Sequence, residues 1–153
     1  GLSQIPAESR YAEGIRAVMG WRGEGIGSEE ATDRLHARFD ETNEHHWCHA
    51  VSNGMAVCIG LLWGGLDLGR TIGTAIAASF DKDCNGATAG SVVGMAVGAS
   101  RLPAAWTAPL NDTMEAGIPG LGWIPISGVA RRTVQVAALL AATGGVPPVA
   151  PRG

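Results

Sequence analysis

The sequence predicts an all-α fold, a compact bundle of about six helices. Three observations predict it. Apolar residues recur at helical spacing in one window after another. No apolar–polar alternation bounded by hairpin turns is found. The segment 47–66 contains no charged residue if His49 is neutral, and a helix apolar on nearly all sides belongs at the centre of a bundle.

Pro6 suits a first helical turn, after which Tyr11, Ile15, Val18 and Met19 form a buried stripe. Glu8, Arg10, Glu13 and Arg16 mark the wet face. The run Gly23-Glu24-Gly25-Ile26-Gly27 breaks that helix. Ser28 reads as the next N-cap, with Glu29 and Glu30 favourably placed against the helix dipole. Ala31, Leu35 and Phe39 supply the second buried stripe. A third helix covers Cys48 to Trp63 and stops at Gly64-Gly65. Asp67 caps a fourth, running through Ile72, Ile76 and Phe80. The segment from Asp81 to Gly86 is turn-like, and a fifth helix continues to about Ser100. Within it Gly86, Gly90, Gly94 and Gly98 fall every four residues. Each helical glycine costs ~1 kcal/mol relative to alanine. A neighbouring helix packed closely against this stripe offsets that cost, so all four are expected to face one. Pro103, Pro109, Pro119 and Pro125 mark an irregular stretch. Ser127 then caps a last helix through Val134, Val136, Leu139 and Leu140, and residues 143–153 are expected to fray.

A chain of 153 residues makes one domain or part of a larger one. A hydrophobic share of 46% against 16% charge excludes a disordered chain. A net charge of -3 gives no electrostatic footprint for nucleic acid. The segment 47–66 approaches the ~20 residues that cross a bilayer. It holds His49, Ser52, Asn53 and four glycines, and no Lys or Arg cluster flanks it, so no membrane is expected. Cys48, Cys58 and Cys84 are too few and odd in number for a disulfide scaffold. Reduced thiols and the lack of a leader segment predict a cytoplasmic protein. Because the chain opens on Gly1 without Met, a cloning scar, a trimmed chain or a cut from a longer protein is expected.

Chemistry concentrates in two places. Asp81-Lys82-Asp83-Cys84-Asn85-Gly86 sets two carboxylates two residues apart in a turn, an oxygen-rich arrangement that suits Mg2+ or Ca2+. It begins like an EF-hand loop, but Val92 stands where that loop needs its bidentate Glu. The bland alternative is a capped helix start with two solvated acids. The second place is His45-His46-Trp47-Cys48-His49. His45 and His49 at i,i+4 on one helix face, with Cys48, make a candidate Zn2+ site. Its bland alternative is one buried histidine and two on the surface. His49 and Asn53 are also i,i+4, and two polar groups on an apolar helix must face a cavity, a ligand or another segment. No nucleophile elbow, P-loop or dinucleotide fingerprint occurs.

The strings Trp47-Cys48-His49-Ala50-Val51-Ser52-Asn53 and Leu61-Leu62-Trp63-Gly64-Gly65-Leu66-Asp67 precede Phe80-Asp81-Lys82-Asp83-Cys84-Asn85-Gly86-Ala87-Thr88-Ala89-Gly90-Ser91 and the stretch from Leu102 to Asp112. Together, from Trp47 to about Val134, they resemble the C-terminal half of the ADP-ribosylglycohydrolase family, which includes the crystallin J1-like and the dinitrogenase reductase activating glycohydrolase-like proteins. The resemblance implies a larger all-α fold and a pair of Mg2+ ions, with Asp81 and Asp83 as ligands and Cys84 beside them. It implies further ligands, including a Thr-Asp-Asp run, from an N-terminal half. The implied reaction is hydrolytic removal of ADP-ribose from a protein or small molecule, with His49 and Asn53 as candidate substrate-binding residues. This chain departs from the pattern. It has no Thr-Asp-Asp, the nearest string being Thr32-Asp33-Arg34. Lys82 separates the two acids, and Cys84 stands where many members have Thr. The chain alone is therefore expected to be inactive and to self-associate or bind the missing half. A non-catalytic crystallin J1-like relative and the small Zn2+ protein are the alternatives.

Overall fold

The computed structural model describes residues 1–144. The expected frayed tail lies outside them, apart from its first two residues. The chain divides into two compact units, Gly1–Leu102 and a second from Pro103 onward. The described residues are predominantly helical, with seven α-helices and one two-stranded sheet.

In the first unit α1 (Arg10–Gly23) is capped by Ser9, whose hydroxyl accepts from the Ala12 amide at 3.1 Å. Pro6 therefore lies ahead of the helix rather than in its first turn. The buried face is Ala12, Gly14, Val18 and Trp21. Of the expected stripe only Val18 is fully buried, while Tyr11 and Met19 are exposed. Glycine makes the difference: Gly14 lies against Met55 and Val51, which pulls that side of the helix inward. α2 (Ser28–His36) starts from Gly27 as N-cap, and Ser28 is its first helical residue with no capping bond. Ala31 and Leu35 are buried as expected, and Phe39 lies beyond the helix end.

The apolar segment forms α3 (Ala50–Gly64), with His49 as N-cap and Gly65 closing it in the left-handed conformation at φ 61. α4 (Leu68–Ala77) is capped by Asp67, whose carboxylate accepts from the Arg70 amide at 2.7 Å. α5 (Lys82–Val97) completes the unit. α3 is the central element and packs against α1, α2, α4 and α5. Its Met55, Ala56 and Ile59 are fully buried beside Val18, Leu35 and Phe80. Burying one such large side chain contributes roughly 1.5–3 kcal/mol. The central segment is thus covered within this chain.

Gly60 and Gly64 allow the closest helix contact. A Cβ on Gly64 would stand 2.7 Å from the Thr71 Cα, and one on Gly60 would stand 2.9 Å from the Thr71 carbonyl oxygen. The glycine stripe of α5 works over half its length. Gly86 and Gly90 receive Ile76 and Ile72 of α4, whereas Gly94 and Gly98 meet nothing within 4 Å. The reason is length: moving along α5 from Gly86 to Gly90 runs backward along α4 from Ile76 to Ile72, and the shorter α4 begins at Leu68, so its residues reach only the first half of α5.

Phe80 does not extend α4. The chain leaves that helix through Ser79 and Phe80, both with positive φ, at 71 and 59. For residues with a Cβ this costs about 1–2 kcal/mol each. Packing offsets it: Phe80 is buried and stacks on His36 with ring centroids 5.0 Å apart.

The second unit holds the short α6 (Ala104–Thr107), strands β1 (Thr113–Glu115) and β2 (Trp123–Pro125), and α7 (Ile126–Ala142). The strands pair antiparallel with Met114 opposite Ile124. The sequence does not predict this hairpin. Ser127 is inside α7 rather than its cap. Its amide and hydroxyl both donate to the Asp112 carboxylate, at 2.7 and 2.6 Å. Among the described residues no helix is long and apolar enough to cross a membrane.

Candidate functional site

The turn after α4 delivers Asp81 to the start of α5, where it is the N-cap residue without a side-chain capping bond. Its carboxylate is therefore left to point elsewhere. Asp83 lies one half-turn on, in the first turn, and acidic groups are favourable at that helix end. Ligand atoms of Asp81, Asp83 and Cys84 all lie within 4.8 Å of one another. Asp81 is half-buried and the other two are exposed, so the cluster opens to solvent. Lys82 is exposed and makes no ion pair among the described residues.

Asn53 fixes this turn from α3. Its Oδ1 accepts from the Asp81 amide at 3.0 Å and from Asn85 Nδ2 at 2.8 Å. Its Nδ2 donates to the carbonyls of Trp47 at 2.8 Å and His49 at 3.0 Å. Two donors and two acceptor positions are all a carboxamide has. Asn53 faces another chain segment, and its hydrogen bonds hold the Asp81 backbone and the Asn85 side chain. Asn85, buried at 2% exposure, also donates to the Ser79 carbonyl at 3.2 Å, tying down the left-handed residue ahead of Asp81.

The histidine cluster is not assembled as a metal site. The helix begins at Ala50, so His45 and His49 share no helix face. His45 is a surface residue 3.5 Å from Glu44, and His49 Nδ1 accepts the Val51 amide at 3.1 Å. His46 Nδ1 accepts the Asp40 amide. Cys48 turns away from both histidines toward the carboxylates, its thiol donating to Asp81 Oδ2 at 3.8 Å. His49 packs its ring against Phe39, centroids 6.5 Å apart. His49 and Asn53 meet through the His49 carbonyl, which accepts the Asn53 amide at 3.1 Å and its Nδ2 at 3.0 Å, and their side chains do not present a joint polar face.

The donor chemistry of the cluster can be compared with the cations it could hold. Two carboxylates at one solvent-open point, with no cation paired to them, fit a hard divalent ion such as Mg2+. The thiol of Cys84 fits it least, being a soft donor. As hydrogen-bond acceptor and neighbouring charge, the Asp81 carboxylate pushes that thiol above its ordinary range.

Residues 1–143 match the family model described as ADP-ribosylglycohydrolase. The chain belongs to the ADP-ribosylglycohydrolase family. The match begins well upstream of Trp47, where the recognisable motifs start, and takes in α1 and α2 as well. No curated protein and no solved structure matches the chain. Membership places it among hydrolases that act on ADP-ribosylated substrates. The residues around this ADP-ribosylglycohydrolase cluster whose roles the motifs leave unassigned are Cys48 and Asn85. Asn85 stands inside the D-x-D-C-N string, whereas nothing in the sequence marks the target of Cys48.

Proposed function

We propose that this chain supplies Asp81 and Asp83 to a Mg2+-dependent site that hydrolyses the bond between ADP-ribose and its acceptor. The observation that supports this most directly is the convergence of the two carboxylates at the start of α5, held by Asn53 and unpaired with Lys82. The chemistry supplied by bound Mg2+ is Lewis-acid stabilisation of charge that develops on oxygen. The chain's own part is positional. Asn53 and Asn85 hold the Asp81 backbone, and the turn leaves both carboxylates facing solvent. Bare, these carboxylates repel the diphosphate of ADP-ribose, so substrate binding depends on prior cation loading.

Two carboxylates are few for a pair of octahedral ions. We infer that further carboxylates from outside residues 1–153 complete the shell, that Mg2+ binds this chain weakly, and that the chain alone is silent. The test is release of ADP-ribose from an ADP-ribosylated protein with Mg2+ present. The expected result is no release by 1–153, and release from a longer chain carrying a Thr-Asp-Asp run, lost with Asp81→Ala. Turnover by 1–153 alone, abolished by Asp81→Ala, would overturn the incompleteness. Tight Mg2+ binding that survives Asp83→Ala would overturn the ligand assignment. A longer chain that binds Mg2+ but releases nothing would point to a non-catalytic, crystallin J1-like role.

A further inference from the structure

Two thiols from different segments reach the same carboxylate. The Cys48 thiol, in the turn ahead of α3, donates to Asp81 Oδ2 at 3.8 Å. Cys84 Sγ, in the first turn of α5, lies within 4.8 Å of a carboxylate oxygen of Asp81. One side chain holds the backbones that carry them. Asn53 Nδ2 donates to the carbonyl of Trp47, the residue before Cys48, at 2.8 Å. Asn53 Oδ1 accepts from Nδ2 of Asn85, the residue after Cys84, at 2.8 Å. Each cysteine is thus one residue away from a bond to the same carboxamide. Both thiols are free and exposed, whereas Cys58 is half-buried and packs against the core cluster.

We propose that Cys48 and Cys84 are a reversible redox pair, which a small-molecule disulfide oxidises to an intrachain bridge between the turn ahead of α3 and the first turn of α5. This pairing is independent of any cation at Asp81 and Asp83. One thiolate attacks a sulfur of the small disulfide, forming a mixed disulfide and releasing one small thiol. The second thiolate then attacks the protein sulfur of that mixed disulfide, forming the Cys48–Cys84 bond and releasing the other small thiol. The protein gives up two electrons and two protons, and the small disulfide takes up both. A disulfide needs its Cβ atoms about 3.5–4.5 Å apart. Exposed cysteines turn between staggered rotamers without disturbing packed neighbours. The bridge therefore calls for side-chain rotation, while Asn53 keeps the two helix starts together.

Equilibration of the reduced 1–153 chain in glutathione redox buffers at low protein concentration tests this. Acid quenching, alkylation and peptide mass spectrometry read the products. The expected result is a peptide pair linked through Cys48 and Cys84, with Cys58 alkylated. The ratio of bridge to mixed disulfide should be roughly tenfold or more higher in the native chain than in concentrated urea, because the fold raises the local concentration of one thiol at the other. Cys84→Ser should stop at a glutathione adduct on Cys48, and Cys58→Ser should leave the bridge unchanged. Circular dichroism checks that each variant keeps its helix content. The oxidised chain should unfold at higher urea than the reduced one, since the bridge restricts the unfolded chain. Glutathione adducts at both cysteines without a bridge overturn the proposal. So does a bridge to Cys58, a bridge between two copies, or an equal ratio in urea. A lower urea midpoint for the oxidised chain would show that the bridge distorts the fold, and would overturn it as well.

Discussion

Asn85 Nδ2 donates to Asn53 Oδ1 at 2.8 Å, joining the first turn of α5 to the first turn of α3. The same oxygen takes the Asp81 amide, so one carboxamide sets the register between two helices and the start of the acidic motif. A buried polar pair of this kind stabilises little in net terms but is costly to break.

Asn53→Ala is therefore expected to destabilise the fold by about 1–3 kcal/mol, because Asn85 and the Asp81 amide each lose an acceptor. Urea denaturation measures it. Cation affinity at Asp81 and Asp83 should fall in the same variant, and unchanged affinity would show that Asn53 does not position the motif.

Two glycine substitutions should move stability in opposite directions. Gly64→Ala places a Cβ 2.7 Å from the Thr71 Cα and still closer to its Oγ1, which calls for helix displacement. The expected cost is about 3 kcal/mol. Gly94→Ala meets nothing within 4 Å in the second half of α5, and is expected to stabilise by about 0.5–1 kcal/mol. Thermal unfolding of both variants checks the pair.

The three thiols should react in a set order. Burial pushes the Cys58 thiol up to about 11, whereas Cys48 and Cys84 are exposed. Iodoacetamide near pH 8 should modify Cys48 early and Cys58 last, as read by peptide mass spectrometry. A raised thiol favours the protonated native state. Its contribution is full below the ordinary thiol range and is lost as pH rises through about 11.

Asp112 should matter for α7. Hydrogen bonds from the Ser127 hydroxyl and then its amide hold the Asp112 carboxyl below the usual carboxylate range. The contribution is present above that range and is lost as pH falls through the lowered value. Asp112→Ala should speed amide exchange in the first turn of α7 severalfold at neutral pH, and wild type should approach the variant only in acid.

Removing the charge between the acids tests the electrostatics of the motif. Lys82→Thr should raise Mg2+ affinity by less than tenfold, with the gain shrinking as salt is added. A loss of affinity would show that Lys82 supports the site.

Much of this fold is legible in local sequence. Asp67 before an apolar-periodic run and Gly65 after another mark a start and a stop that the structure keeps. The charge-free segment becomes the central helix for the reason its composition gives. What local sequence conceals is set by distant partners. Val18 and Leu35 are readable as buried, but the rotation of α1 toward Gly14 depends on Met55. Ser28 loses the cap position to Gly27 by one residue, and Ser9 takes the cap that Pro6 suggested nearby. The hairpin escapes notice because three-residue strands are too short to show alternation. At the site, the D-x-D spacing announces itself. The approach of Cys48 to Asp81 and the double acceptance by Asn53 arise from contacts across 33 and 28 residues.

Those separations have a kinetic meaning. The Cys48–Asp81, Asn53–Asp81 and Asn53–Asn85 contacts span 33, 28 and 32 residues, and they join the starts of α3 and α5 across the single intervening helix α4. Closing such loops is entropically cheap, since each doubling of length adds only about 0.6 kcal/mol. Chains built from near-neighbour helical contacts fold in roughly microseconds to milliseconds. The helices packed against α3 all end before Leu102, so the acidic motif can take its shape during synthesis, while later residues are still emerging from the ribosome. Pulse-labelled exchange should find the amides of Asp81 and Asn85 protected as early as those of α3; late protection would mean that residues beyond Leu102 set the shape of the motif.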